Sequence, residues 1–140
     1  MLKHAVLIMI IALLSIIVPS SSAPLFEGVD GRYIFYTNTS VSSDFVYASS
    51  EQARSVKKNL TYVCGEAIQF SYSEQTVEKL LKKYSARKLF SESGESFTTH
   101  YYYTNKIPFY ELIGGVKVNL QVSYCGDSCV VGSPIIYGGF

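Results

Sequence analysis

The chain has 140 residues, of which 48% are hydrophobic and 16% charged, and its formal net charge is +1. This length suits one domain with a buried core and leaves no room for a second catalytic domain. Without Lys3, 11 basic residues are mixed along the chain with 11 acidic ones. Because the sequence contains no basic stripe, nucleic acid is not expected as a partner.

Residues 1–23 have the order of a secretory signal. A short basic start precedes a largely apolar stretch of 14 residues, 5–18, and a tail of small residues, which is the order that signal peptides share. We therefore expect export to a secreted or extracytoplasmic location. The leader is either cleaved, after Ser20 or Ser22, or kept as an uncleaved anchor, and a membrane is expected as a partner only in that second case.

Beyond the leader, the first half of the chain mixes strands with helical segments. Residues 24–30 are predicted to form a linker, and 31–140 a single domain. Aromatic and β-branched residues predict strands over 32–37, 45–48 and 61–72, and a weaker apolar spacing predicts a short helix over 50–60.

One helix is specified strongly, over residues 74–84. Its apolar residues recur at helical spacing and form a single stripe, at Val77, Leu80, Leu81 and Tyr84. Ser71 or Ser73 is the expected N-cap, and Ser71 with Glu74 matches a capping box. Lysines near the C-terminal end are expected to form a solvated face that complements the helix dipole.

From residue 87 onward the chain is predicted to be nearly all strand. The segments 87–91 and 97–104 flank a polar turn and are expected to form a hairpin. A second hairpin is expected where 109–113 meets Val116 across two glycines.

Two further strands complete the predicted sheet. The segment from Val116 to Tyr124 alternates apolar and polar residues, which predicts one buried and one wet face. The last strand, 130–137, contains Pro134 and is expected at an edge with a bulge. The predicted fold class is α+β, an antiparallel sheet of about five to seven strands with one main amphipathic helix packed on one face.

The sequence contains no recognised catalytic or metal-binding motif. After the leader His100 is the single histidine, so Ser–His or Cys–His catalysis would depend on it, and a zinc site would lack a second histidine. The 11 carboxylates are scattered along the chain. We therefore expect no catalytic residues, no metal, no cofactor and no enzymatic activity, with an unrecognised hydrolase as an alternative.

Tyrosine is unusually frequent, with 12 Tyr and no Trp in the chain. Tyr101, Tyr102 and Tyr103 follow His100 on a predicted strand, so that alternate side chains lie on opposite faces. Exposed tyrosines beside His100 would form a binding patch for a glycan or a protein. These four residues are the candidate binding residues, and the alternative is that the rings belong to the core.

Two of the three cysteines lie close together in the sequence. Cys125 and Cys129 flank Gly126-Asp127-Ser128, a turn-forming triplet, and we predict that they form a disulfide at the neck of a hairpin. Cys64 is expected as a buried thiol, with pairing to either of the other two or to another chain as alternatives.

The C-terminal half resembles a known group of proteins. The segments K-V-N-L-Q-V-S-Y (117–124) and V-G-S-P-I-I-Y (131–137) are similar to the closing hairpin of small exported YwmB-like proteins of unknown function from Gram-positive spore-forming bacteria. The resemblance implies a fold like that of the TATA-box-binding protein, with helices on one face of an antiparallel sheet, and does not imply DNA binding.

Together these features predict an exported domain with a non-catalytic binding or structural role in the cell envelope or extracellular space. Its partner is expected to be an envelope or extracellular protein or a glycan. The alternative is a soluble secreted module that recognises a glycan or protein through its Tyr-rich strands.

Overall fold

The computed structural model describes residues 23–37 and 44–137, and the predicted leader lies outside this range except for Ala23. Its elements, in chain order, are β1 (Arg32–Tyr36), β2 (Phe45–Ala48), α1 (Ala53–Asn59), β3 (Gly65–Ser71), α2 (Glu74–Lys83), β4 (Arg87–Ser93), β5 (Thr98–Tyr103), β6 (Glu111–Ile113), β7 (Val116–Val118), β8 (Leu120–Cys125) and β9 (Ser128–Ser133). No helix among the described residues is long and apolar enough to cross a bilayer.

Seven of the strands form one sheet in the order β2-β1-β3-β9-β8-β5-β4, and β6 and β7 form a separate hairpin. All neighbouring strands are antiparallel. The predicted α+β class is confirmed. The last strand, β9, lies in the centre of the sheet and joins β3 to β8, whereas the sequence predicted it at an edge.

Both helices contribute to one apolar core on the same face of the sheet. Ala53 of α1 and Leu80 of α2 belong to one buried cluster with Phe35, Ile68 and Val122 of three strands. Burying apolar surface at about 25 cal/mol per Å² is the main force that holds these layers together.

Helix α2 begins at a serine cap. Ser73 accepts a hydrogen bond from the Thr76 backbone N–H at 3.3 Å, which satisfies one of the free donors of the first turn. Ser71 is the last residue of β3, so the predicted capping box between Ser71 and Glu74 is wrong and Ser73 is the cap.

The segment 24–30, predicted as a linker, is packed into the domain. Phe26 is fully buried, and the Tyr33 hydroxyl donates to the carbonyl oxygens of Phe26 and Val29, each at 2.7 Å. The domain therefore extends to the first residues that the structure describes.

The opposite face of the sheet is partly covered by the chain that follows β9. Tyr137 packs edge-on against Tyr36, with ring centroids 5.2 Å apart, and the Ile136 N–H donates to the Gln121 side chain at 2.9 Å. A Cβ built on Gly132 would lie 2.6 Å from Ile136 Cγ1, so this glycine permits the close contact.

Asn119 divides the predicted strand from Val116 to Tyr124 into β7 and β8. Its side chain is fully buried, accepts from the Thr104 N–H at 2.8 Å and donates to the carbonyl oxygens of Thr104 and Ile107. The predicted wet face is therefore wrong at Asn119, which is an internal cross-link between loops, and at Ser123, which is 2% exposed and hydrogen-bonded to Thr99.

All three cysteines are free thiols in the structure, including the predicted pair. The β8–β9 hairpin turns over two residues, Gly126 and Asp127, so that Cys125 pairs with Ser128 and Cys129 with Tyr124. Directly paired residues share a face, so Cys125 and Cys129 point to opposite sides of the sheet. The predicted disulfide is not formed, because the turn is one residue shorter than the predicted triplet.

Candidate functional site

The Tyr-rich strand β5 lies between β4 and β8, and its tyrosines are used in packing. Tyr102 is 8% exposed and belongs to the core beneath the helices. Tyr101 is 9% exposed, stacks on Phe90 with centroids 4.5 Å apart, and donates its hydroxyl proton to Glu92 at 3.0 Å. Neither ring is available to a partner.

His100 and Tyr103, the other two candidate residues, are half-buried. Alternation places His100 with Tyr102 on one face and Tyr103 with Tyr101 on the other. The structure therefore does not bring the four candidates together into one exposed patch.

The His100 ring contacts a hydroxyl and an aromatic ring. Its Nδ1 lies 2.7 Å from Ser91 Oγ, and its ring meets Tyr124 edge-on. Burial, with a smaller effect of Lys88, lowers the pKa of His100, so the imidazole is neutral at pH 7. Among the hydrogen bonds of the described residues, none joins a carboxylate to this imidazole, so the pair lacks the orienting group of a triad.

A groove of about 1100 Å³ lies on the helix-covered face of the sheet, beside β1 and β2. It is bounded by the turn 27–31, the loop 48–52 and the exposed side of α2. Phe70 and Leu80 contribute an apolar floor, and Lys79 lies on the α2 rim. Grooves with an apolar floor and a few polar groups at the rim are typical of binding sites.

Hydrogen bonds hold the two loops of this groove together. The Ser50 hydroxyl donates to the Asp30 carboxylate at 2.7 Å and accepts from the Gly31 N–H at 3.0 Å. Arg54 makes a two-pronged contact with Glu27, at 2.8 and 2.7 Å. These bonds fix the walls of the groove relative to each other, which lowers the cost of ordering them when a partner binds.

Strand β2 borders the groove and ends the sheet. Phe45 and Tyr47 are 46% and 48% exposed and meet edge-on, with centroids 4.9 Å apart. The Arg32 guanidinium lies 4.3 Å from the centroid of the Tyr47 ring and donates to the Gln69 side chain. This arrangement holds an aromatic and cationic surface in a defined position.

The backbone of β2 has an open side. Thr37 N–H donates to the Asp44 carbonyl at 2.9 Å, and hydrogen-bonded pairs alternate along an antiparallel ladder. Phe45 and Tyr47 pair with β1 at the intervening positions, so their N–H and C=O groups point away from β1. Within the described residues β2 pairs with no other strand.

The other edge strand, β4, is different. It carries Arg87, Lys88 and Glu92, and its register with β5 shifts between Lys88 and Phe90. Charges and bulges protect sheet edges against pairing with other strands. The uncharged β2 edge lacks these features, which makes it the candidate for binding.

Sequence reasoning predicted the β2 strand but not this site. The available signal was a short uncharged aromatic strand, F-V-Y-A, directly after a polar turn. Its importance depends on β2 being an edge strand, and strand order is not visible in local sequence.

Comparison of the chain with known protein families, curated proteins and solved structures finds no match. The resemblance to YwmB-like proteins therefore stays a prediction. Among the described residues no group of three His, Cys, Asp or Glu side chains is placed to hold a metal ion.

Proposed function

We propose that this protein is an exported or membrane-tethered, non-catalytic domain that binds an extended segment of a partner protein in the cell envelope or extracellular space. The observation that carries the proposal is the open edge of β2, where backbone groups of Phe45 and Tyr47 are directed outward. An extended peptide adds to such an edge through main-chain hydrogen bonds.

The surroundings of β2 supply side-chain selectivity. The exposed Phe45 and Tyr47 rings offer aromatic contact area on one face, and the groove beside Arg32 offers an apolar floor for residues of the partner. Main-chain bonding provides affinity and alternate side-chain pockets provide specificity in this mode of recognition.

The groove enters this proposal as a binding surface. Its lining combines the apolar side chains of Phe70 and Leu80 with charged side chains such as Asp30 and Lys79, a combination that can orient side chains of a partner. A hydrolase is the second candidate, and the close contact between Ser91 and His100 is the observation that favours it. Recognition through the Tyr-rich strand has less support, because Tyr101 and Tyr102 are enclosed.

Site-specific photocrosslinking in the native host tests the proposal. A photoreactive phenylalanine analogue replaces Phe45 or Tyr47, and the exposed aromatics Tyr62 and Tyr110 serve as matched control positions. We expect one adduct of the same mass from positions 45 and 47 and none from the controls.

A blocking variant makes the result specific to the β2 edge. Tyr47→Pro removes an N–H that points away from β1, so the ladder with β1 keeps its hydrogen bonds. We expect the adduct from position 45 to disappear in this variant while the thermal unfolding midpoint changes little. Equal adducts from all four positions, or an adduct that survives Tyr47→Pro in a folded protein, would contradict the proposal.

A further inference from the structure

Lysine side chains bind the chain where it enters the domain. The Lys57 ammonium donates to the carbonyl oxygen of Ala23 at 2.9 Å, and the Lys83 ammonium donates to that of Leu25 at 3.2 Å. Lys57 is also bonded to the buried Glu66 carboxylate at 2.6 Å. The first described residues therefore lie between the last turns of α1 and α2.

The topology collects further basic residues at this end of the sheet, which we call the entry end. Both helices finish there, β4 starts there, and β5 leads there to Lys106, whose ammonium donates to the Lys83 carbonyl at 3.3 Å. The exposed basic residues of the entry end, including the β6–β7 hairpin, are Lys58, Lys82, Lys83, Arg87, Lys88, Lys106 and Lys117.

Acidic residues of the entry end are fewer than the basic ones, and two of the four are bonded to other side chains. Glu66 is bonded to Lys57, and Glu111 accepts from the Tyr137 hydroxyl at 3.1 Å. Asp44, beside β2, is exposed, and Glu78 lies one turn before Lys82 on α2. The entry end therefore has an excess of exposed positive charge.

The opposite end of the sheet has the reverse character. Its turns, the first residue of α2 and the end of β4 carry the carboxylates Glu27, Asp30, Glu51, Glu74, Glu92, Glu95 and Asp127. The basic residues at that end are Arg32 and Arg54, and Arg54 is bonded to Glu27. A chain whose basic and acidic residues balance is thus strongly polarised along its strands, with the leader joined to the positive end.

We propose that the entry end docks the domain onto anionic phospholipid headgroups while residues 1–22 are held in the membrane. The inference rests on the membrane-tethered form of the proposed function. Because Ala23 is bound at the entry end, a tether of this kind brings that face within about one Debye length of the headgroups, roughly 10 Å. Each lysine near an anionic lipid surface raises the binding constant for that surface about fivefold.

The test uses the full-length chain synthesised in the presence of liposomes. One set contains phosphatidylcholine alone and the other contains equal parts of phosphatidylcholine and phosphatidylglycerol. After flotation, lysines are acetylated with a mild amine reagent and quantified by mass spectrometry. We expect labelling of Lys58 and Lys83 to fall about fivefold with the anionic lipid and to recover at about 1 M salt, where the Debye length is about 3 Å.

Two variants of equal net charge separate the docking face from charge alone. Lys82→Gln/Lys88→Gln/Lys106→Gln removes three positive charges from the entry end. Gln75→Glu/Ser93→Glu/Ser96→Glu adds three negative charges at the opposite end. We expect the first variant to lose the protection of Lys83 and the second to keep it.

Several outcomes would overturn the inference. Equal labelling of Lys58 and Lys83 in both lipid mixtures would exclude the docking face and leave the tether intact. Protection that persists at high salt would show apolar rather than headgroup contact, and equal loss in both variants would show a net-charge effect. A chain that does not float with the liposomes would reject the tether and the docking together.

Discussion

Two strands rich in aromatic residues, β5 and β2, differ in how far their side chains are exposed to solvent. Tyr101 and Tyr102 of β5 are 9% and 8% exposed, whereas Phe45 and Tyr47 of β2 are 46% and 48% exposed. Strand β5 lies between two neighbours and has helices over one of its faces, while β2 ends the sheet. Similar residues on strands thus form core in one region and a free surface in the other, according to strand order.

The comparison also shows that the most tyrosine-rich segment of the sequence is not the segment best placed to bind a partner. The Y-Y-Y run is the most conspicuous aromatic feature of the sequence, but its position inside the sheet directs two of its rings into packing. An exposed ring costs little stability when it is removed, and a buried one costs several kcal/mol. Substitutions in β5 are therefore expected to lower stability, whereas substitutions in β2 are expected to weaken binding with little loss of stability.

The largest expected effect is at Tyr102. Tyr102→Ala leaves a cavity in the core beneath the helices and is expected to lower the free energy of unfolding by about 3–5 kcal/mol. Denaturant unfolding followed by circular dichroism measures this loss. Tyr102→Phe, which keeps the ring, is the control and should remain near wild type. If Tyr102→Ala lowered the free energy of unfolding less than Tyr47→Ala does, the contrast between a buried β5 and an exposed β2 would be contradicted.

A smaller loss is expected at Tyr101. Tyr101→Phe keeps the stacking on Phe90 but removes the hydrogen bond to Glu92, at a cost of about 1 kcal/mol.

The same substitution changes the response to alkaline pH. Burial, together with Glu92, raises the pKa of Tyr101 to about 12, above its unfolded value of about 10. Its proton is held more tightly in the folded state, so this contribution is complete below about pH 10 and is lost as pH rises toward 12. We expect Tyr101→Phe to lose less stability than wild type over that window, and parallel pH curves would contradict this assignment.

His100 gives a pH dependence of the opposite direction. Burial lowers its pKa in the folded state, so the unfolded chain takes up the proton first as pH falls below about 6.5. The stability that neutral His100 contributes is present above that pH and is lost below it. Unfolding curves from about pH 7 to 5 should fall less steeply for His100→Gln than for wild type, and identical slopes would count against a half-buried histidine.

The smallest stability effect is expected at Tyr47. Tyr47→Ala removes an exposed ring and should change the free energy of unfolding by about 0.5 kcal/mol or less. It should nevertheless weaken capture of the partner at position 45 in the crosslinking experiment, because an exposed aromatic ring contributes to binding more than to folding. If Tyr47→Ala and Tyr102→Ala had the same thermal unfolding midpoint, the proposed difference between the exposed β2 and the buried β5 would be contradicted.

Much of the secondary structure could be predicted because its signals are local. The apolar stripe that includes Val77 and Leu80 located α2, and the strand over 45–48 has the same bounds in the structure. The predictions were wrong where a single residue decides which face of the sheet a side chain lies on or which residue it contacts. The two-residue turn at Gly126 and Asp127 separated the predicted cysteine pair, and Asn119 became internal through bonds to a loop 15 residues away.

The sequence by itself determined where most of the helices and strands form, because spacing and turn chemistry act over a few residues. The tertiary structure decided that β9 lies between β3 and β8, that β2 is an open edge, and that basic residues gather where the chain enters the domain. These properties depend on contacts between residues far apart in the chain. Because successive elements reverse direction, the ends of α1 and α2 meet the start of β4 at one end of the sheet, and basic residues that are distant in the sequence come together there.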